Sequence, residues 1–207
     1  PTLPDGHEIL QAWLRILIGV VKISAIATVL LFARDRLWDQ LVDASSAPLH
    51  AARPAIVLKF ILVFYLYPAY MYFNFVGYCD IVIGVGCLLG VRPPENFNLP
   101  FLSANPSQYW LRVHESLTSW LTDYVFNPLY AAALRSGWVG WHPLSATALA
   151  LMATMLVAGL WHGTTLSFVI FGLVHGLYLI VFRSYEYAAR NVLGRQGLRA
   201  LRSSRVW

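Results

Sequence analysis

The sequence predicts an all-α fold: a polytopic bundle of membrane helices that also includes an amphipathic or re-entrant helix. Of the 207 residues, 58% are hydrophobic and only 12% are charged, whereas soluble domains contain about 25% charged residues. A soluble protein of this size could not bury so much apolar surface. The apolar residues also fall into helix-length runs rather than short alternating segments, which favours helices over strands.

Four apolar runs are long enough to cross a bilayer, and they cover about residues 9–33, 55–90, 144–161 and 164–182. With the segments that connect them, they form a predicted membrane domain over residues 1–182. The second run exceeds one crossing, so it is either one long tilted helix or two elements. Within it, Pro68, Gly77, Gly84, Gly86 and Gly90 offer places to bend and surfaces for close helix contact.

The last two runs meet at His162–Gly163 with almost no polar loop between them. This junction predicts either a very tight turn at the membrane edge or a helix broken within the protein. The motif Gly-Leu-Trp-His-Gly at 159–163 has a counterpart, Gly-Leu-Val-His-Gly, at 172–176. Both are small-xxx-small patterns, which allow two helices to approach closely.

The net charge of +5 is concentrated after the last apolar run, where residues 183–207 contain six arginines and one glutamate. Arginine beside a membrane span usually marks the cytoplasmic side. We therefore interpret residues 183–207 as a basic cytoplasmic tail that contacts anionic lipid headgroups. A nucleic-acid partner is not expected.

An amphipathic helix is predicted over about residues 107–126. At helical spacing, its largely apolar face consists of Trp110, His114, Leu117, Leu121 and Tyr124. Its polar face consists of Arg112, Glu115, Ser116, Ser119 and Asp123. Such a helix suits the membrane interface, or it dips into the protein.

Histidines within or beside apolar runs are the first candidates for function. His162 lies between a tryptophan and a glycine, where a functional histidine and a packed histidine that donates to a carbonyl both fit. On pattern alone, His114 fits an interfacial residue packed beside Trp110. His175 fits a glycine-lined face used for helix packing.

Asp80 is a lone aspartate in the second run and needs a partner, which Lys22 in the first run would supply. This predicts structural pairing rather than catalysis. A proton or ion pathway would favour several ionisable residues inside the spans, so a transporter stays an alternative. Haem ligation is disfavoured because no other run matches His162 and His175, and no spacing of cysteines and histidines predicts a metal site.

The sequence contains four motifs in this order: LIGVVKISAIA around Lys22, FNFVGYCDIVIGVGCLLGVRPPENFNLPFLSANPSQYW, RVHESLTSWLTDYVFNPL and GLWHG. In order and spacing they resemble the membrane-bound O-acyltransferase family over about residues 10–182. The likeness is greatest to the bacterial branch that holds alginate O-acetyltransferase and the teichoic-acid D-alanyl transfer protein. Cys79 stands where that branch has the serine of Tyr-Ser-Asp. The chain corresponds to the C-terminal part of a family member, so we expect it to be a piece of a longer protein.

The resemblance implies an enzyme that moves an acyl group, expected to be acetyl, to a hydroxyl of an extracytoplasmic polysaccharide or acyl-accepting partner protein of the cell envelope. The implied donor is a cytoplasmic thioester, either acetyl-CoA or an acyl carrier protein, and no bound cofactor or metal is implied. The implied location is the bacterial inner membrane, with several membrane crossings. A proton-coupled transporter segment and an inactive scaffold remnant of the family are the alternatives.

Site residues follow from the resemblance position by position. His162 matches the near-invariant histidine of the family and is expected to be the general base, kept neutral by burial. His114 matches the second functional position. The candidates for substrate binding or for stabilising the oxyanion are Trp161, Asn105, Ser116 and Arg112.

Overall fold

In a computed structural model of the chain, residues 4–45, 53–136 and 142–203 are described. They form α-helices with short π-helical and 3₁₀ segments, which confirms the predicted all-α fold. Four helices in this described part are long and apolar enough to cross a membrane. The chain divides into two compact units, residues 1–95 and 96–207, each with its own helix packing.

The first unit is built from two long helical rods. The first rod joins three consecutive segments, which are α1 (Gly6–Val21), a π-helical segment (Lys22–Ala27) and α2 (Thr28–Ser45). The second rod is α3 (Arg53–Leu88), so the long apolar run forms one helix and not two, with Pro68 inside it. Its 36 residues extend about 54 Å at 1.5 Å per residue, which is more than one bilayer core and requires a tilt.

Glycines bring the two rods of this unit into close contact. A Cβ atom added to Gly19 would lie 2.6 Å from the carbonyl oxygen of Gly77, and one added to Gly84 would lie 2.8 Å from that of Ala12. Because such distances are too short for a side chain, backbone packs directly against backbone here. The predicted contact surfaces at Gly77 and Gly84 are therefore confirmed.

A cluster of charges crosses the same interface. Lys22 Nζ donates to Asp80 Oδ2 at 2.6 Å, as predicted, and Asp80 is only 8% exposed. The sequence prediction missed Arg15, whose Nε donates to Asp80 Oδ1 at 3.1 Å and whose Nη1 donates to Glu95 at 2.6 Å. Arg15 lies seven residues before Lys22, which is two helical turns, so spacing alone would have placed both cations on one face.

The second unit contains shorter helices followed by two long ones. In chain order these are α4 (Pro106–Arg112), α5 (Glu115–Leu121), a π-helical segment (Thr122–Phe126), α6 (Asn127–Arg135), α7 (Pro143–His162) and α8 (Leu166–Ser203). A 3₁₀ turn at Pro100–Leu102 precedes them.

The predicted continuous helix over 107–126 is wrong, because the chain leaves helical geometry at Val113 and His114. Val113 is extended, with φ −105° and ψ 127°. His114 has a left-handed backbone, with φ 47° and ψ 54°. The helical periodicity continues in the sequence across this break, so it gave no sign of it. A side chain after the break therefore does not share the face predicted for one before it.

Helices α7 and α8 form a tight antiparallel pair. A Cβ atom added to Gly172 would lie 2.6 Å from the carbonyl oxygen of Met155, while one added to Gly176 would meet the Met152 side chain at 2.8 Å. Gly159 is in similarly close contact with Phe168. Three of the glycines in the two Gly-Leu-X-His-Gly motifs therefore serve close helix packing, as the small-xxx-small patterns predicted.

Helix α8 does not stop at the predicted end of the last span, residue 182. It continues to Ser203, with a kink at Gly194, where φ is 68°. Its apolar part extends to Gly194. The predicted tail is therefore helical as far as Ser203, in two parts that meet at the kink. At its start, Glu186 accepts from Arg183 one turn back at 2.8 Å.

Candidate active site

His114 occupies the break between α4 and α5. A left-handed conformation costs a residue with a side chain about 1–2 kcal/mol, so the surroundings must hold it. Thr118 contributes by donating from its amide to the carbonyl of His114 at 2.9 Å, and its hydroxyl donates to the carbonyl of Val113 at 3.1 Å. The result is a half-buried imidazole at a turn instead of on a helix face.

An extended segment before α4 also holds the break. Phe97 forms an antiparallel bridge with Val113, and the amide of Asn98 donates to the carbonyl of Arg112 at 3.0 Å. The Pro-Glu-Asn-Phe motif and the histidine-bearing motif are therefore paired through their backbones. This pairing was not predicted, because the two segments lie apart in the sequence.

His162 is the last residue of α7. Gly163 follows it in an extended conformation, and α8 begins three residues later at Leu166. Of the two predicted alternatives, the structure has the tight turn, which connects an antiparallel pair. His162 is exposed in this chain, which corrects the predicted burial. His162 lies at the helix end, where its ring contacts those of Trp161, Phe168 and Phe171.

Trp161 contacts both histidines. Its indole centroid lies 4.9 Å from the His162 ring and 5.5 Å from the His114 ring, and both contacts are close to perpendicular. The indole is 57% exposed. Two imidazoles and an indole, all with polar groups able to form hydrogen bonds, therefore meet at one surface of the second unit.

The aromatic cluster continues from His162 into α8 and back to α4. Phe171 lies 5.6 Å from His162 and 4.2 Å from His175, and His175 lies 5.4 Å from Trp110. The Nδ1 atom of His175 is 2.9 Å from the carbonyl oxygen of Phe171. The packing role predicted for His175 thus agrees with its contacts. The contact of Phe171 with His162 was not predicted, because it depends on the turn between α7 and α8.

Burial and a neighbouring charge both act on His114. Partial burial lowers the pKa of His114 below its ordinary value of 6.5, and positive charge on His162 lowers this pKa further. His114 is therefore neutral at pH 7 and able to accept a hydrogen bond.

The other predicted site residues are placed in different ways. Asn105 caps the start of α4, where its Oδ1 accepts from the amide of Gln108 at 2.9 Å. The hydroxyl of Ser116 donates to Asn96 Oδ1 at 2.6 Å. Arg112 ends α4 and is half-buried.

Within the part of the chain that the structure describes, His, Cys, Asp and Glu do not come together in threes as metal ligands would.

Helices of bilayer length and a surface with two histidines define the chain as a polytopic α-helical membrane protein with a candidate imidazole-based site. The profile of the membrane-bound O-acyltransferase (MBOAT) family matches residues 8–193. The chain therefore belongs to the membrane-bound O-acyltransferase family.

Three relatives illustrate the match. The chain is 32% identical to a teichoic acid D-alanyltransferase of Bacillus subtilis over 130 residues, which are 63% of this chain and 33% of the relative. It is 41% identical to a probable alginate O-acetylase AlgI of Pseudomonas syringae over 115 residues (56% and 21%). It is 36% identical to a peptidoglycan O-acetyltransferase of Helicobacter pylori over 124 residues (60% and 22%). The matched part of the chain thus spans a third or less of each relative.

Proposed function

We propose that this chain forms part of a bacterial O-acyltransferase of the cell envelope, with His162 as the general base. The observation that carries the proposal is the contact of Trp161 with both His162 and His114, at 4.9 and 5.5 Å between ring centroids. Family membership supports the reaction class. The relatives' names, which specify transfer of acetyl or D-alanyl groups to envelope polymers, support the type of acceptor.

The reaction needs a base because a hydroxyl is a poor nucleophile at neutral pH. In the proposed step, a ring nitrogen of His162 takes the hydroxyl proton while the oxygen attacks the thioester carbonyl carbon. The tetrahedral intermediate then breaks its carbon–sulfur bond. The departing thiolate takes the proton from the imidazolium, which restores neutral His162. A positioned base of this kind contributes about 10²–10⁴ in rate.

His114 and Trp161 have supporting roles in this scheme. A neutral His114 can accept a hydrogen bond from a second hydroxyl of the acceptor and so orient the attacking one. The indole N–H of Trp161 is our preferred donor to the developing oxyanion. Asn105 and Ser116 are less favoured for that role, because each already makes a hydrogen bond that organises a helix start.

A membrane protein suits this reaction, because the acyl donor and the acceptor lie on different sides of the membrane. Acyl thioesters are made in the cytoplasm, whereas envelope polymers lie outside it. We therefore propose the bacterial inner membrane as the location and acetyl-CoA or an acyl carrier protein as the donor. The proposed acceptor is a cell-envelope polysaccharide, or a partner protein that carries the acyl group onward.

A proton-coupled transporter has less support. Asp80, the aspartate that would have to exchange protons, accepts hydrogen bonds from both Arg15 and Lys22. Both oxygens of this carboxylate are therefore occupied by ion pairs, which favours a structural role for Asp80. An inactive scaffold would instead predict that His114 and His162 are both replaceable without consequence.

The test is a His162→Ala variant of the complete protein, expressed in its own cells. We expect ester-linked acyl groups on the envelope, measured after mild alkaline release, to fall by about 10²-fold or more, because the base is lost. Membrane levels of the protein are compared by immunoblot.

His142→Ala is the matched control, because His142 lies at the other end of the same helix and its Nδ1 accepts from the amide of Leu144. This variant should keep its acylation. Equal acylation in His162→Ala and wild type would refute the role of His162 as base. Equal loss in both variants would show that the effect comes from damage to α7.

A further inference from the structure

Helix α5 begins without a cap from its own N-cap residue. That position is His114, whose side chain makes no capping hydrogen bond. An N-cap residue is usually serine, threonine, aspartate or asparagine, whose side chain accepts from the amides of the first turn. The histidine ring is instead directed at Trp161, at 5.5 Å between centroids.

Asn96, eighteen residues earlier in the chain, supplies the missing cap. Its backbone carbonyl accepts from the amide of Glu115 at 3.0 Å. Its side-chain Oδ1 accepts twice from Ser116, from the amide at 3.2 Å and from the hydroxyl at 2.6 Å. The first two amides of α5 are therefore satisfied by a residue outside the helix.

We propose that Asn96 is a positioning residue for His114, an inference that rests on the proposed function. Asn96 caps α5 in place of the side chain at the N-cap position. By binding the two residues that follow His114, it also fixes the left-handed turn that aims the ring at Trp161. Asn96 itself does not touch the reacting atoms.

The chemistry of these bonds defines which substitutions matter. Oδ1 of Asn96 acts only as an acceptor toward Ser116, so an aspartate carboxylate can replace it. A carboxylate is also favoured beside the first turn of a helix. Alanine removes both side-chain bonds while leaving the backbone bond to Glu115 in place.

The experiment measures acyl transfer by the complete protein in membranes, as kcat and KM for Asn96→Ala, His114→Ala and the double variant. We expect Asn96→Ala to lower kcat about 10- to 100-fold, the size of loss that misplacing a catalytic group by about 1 Å causes. KM should change little. The double variant should be no slower than His114→Ala alone, because residues that act through one group are not additive.

Two further variants separate positioning from general folding. Asn96→Asp should recover most of the wild-type kcat. Asn98→Ala is the matched control, because the Asn98 side chain is exposed. The hydrogen bond from Asn98 to Arg112 uses the backbone amide, which alanine retains. It should behave like wild type.

Several results would overturn the inference. Wild-type kcat in Asn96→Ala, with His114→Ala impaired, would remove Asn96 from the site while leaving the proposed function intact. Additive losses of kcat in the double variant would show that Asn96 supports folding and does not position His114. Failure of Asn96→Asp to recover kcat would show the same. Wild-type kcat in His114→Ala would end both this inference and the role of His114. If Asn96→Ala does not accumulate, Ser116→Ala, which removes the shorter bond to the same oxygen, takes its place with the same expectations.

Discussion

At the scale of single residues, His114 combines a strained backbone with a perturbed ring. The left-handed conformation turns the imidazole away from the helix axis and toward Trp161. Partial burial there, together with His162, lowers the pKa of His114. The same placement that brings His114 to the site thus keeps it uncharged at neutral pH, which is the state that accepts a hydrogen bond.

This pKa has a consequence for stability. The unfolded chain has its His114 pKa near 6.5, while the folded chain has a lower one. Between the two values the unfolded state binds more protons, so stability falls as pH decreases through this window and is restored above about pH 6.5. We expect His114→Gln to flatten that part of the profile.

The measurement is the apparent melting temperature of the detergent-solubilised protein from pH 7.5 to 5, for wild type and His114→Gln. The informative quantity is the difference between the two slopes, because the titration of groups that do not interact with His114 is common to both. Parallel curves would show that folding leaves the pKa of His114 where it is in the unfolded chain.

At the scale of elements, glycines set how closely the helices approach. The α7–α8 pair brings the backbone at Gly172 against the backbone at Met155, with no room for a Cβ atom. Four residues later on the same face, Gly176 faces the flexible end of Met152. Since His162 and Phe171 lie on opposite helices of this pair, their ring contact depends on that approach.

Gly172→Ala should therefore destabilise the protein by about 1–3 kcal/mol, because overpacking forces one backbone away from the other. Gly176→Ala should change stability by less than about 1 kcal/mol, since the methionine can move and alanine favours a helix. SDS-induced unfolding followed by circular dichroism gives both values. Equal losses of stability in the two variants would mean that the backbones at Gly172 and Met155 lie farther apart than in the structure.

At the scale of the whole molecule, the length of α8 separates two chemically different ends. Its apolar part covers Leu166–Gly194, which is about 43 Å at 1.5 Å per residue and exceeds the bilayer core of about 30 Å. The turn after His162 and the arginine-rich end must therefore lie toward opposite faces of the membrane. With the arginines on the cytoplasmic side, as predicted from charge, the turn lies toward the outside.

Cysteine labelling checks this topology in intact cells. Gln196→Cys, in the arginine-rich end, should react with a membrane-impermeant maleimide only after the cells are permeabilised. Thr165→Cys, in the turn, should react before permeabilisation, because both positions are exposed in the structure but face opposite sides. Wild type, with Cys79 and Cys87 inside α3, is the background control. The reverse pattern would place the arginine-rich end outside.

Several features followed from local sequence alone. Run length and composition predicted the membrane helices, because crossing a bilayer requires a long apolar helix wherever it occurs. The unpaired charge of Asp80 predicted its bond to Lys22, because a carboxylate in an apolar helix needs a cation. Motif order predicted the family, which the family profile over residues 8–193 confirms.

Other features required the tertiary structure. The break at His114 is invisible in a sequence whose helical period continues across it, because the break is held by Asn96 and Phe97 from a distant segment. The contact of His162 with Phe171 needs the reversal between α7 and α8. Sequence by itself determined which residues prefer lipid, helix or charge, since those preferences are local. Tertiary structure decided which side chains meet, since that depends on hydrogen bonds and backbone contacts between residues far apart in the chain.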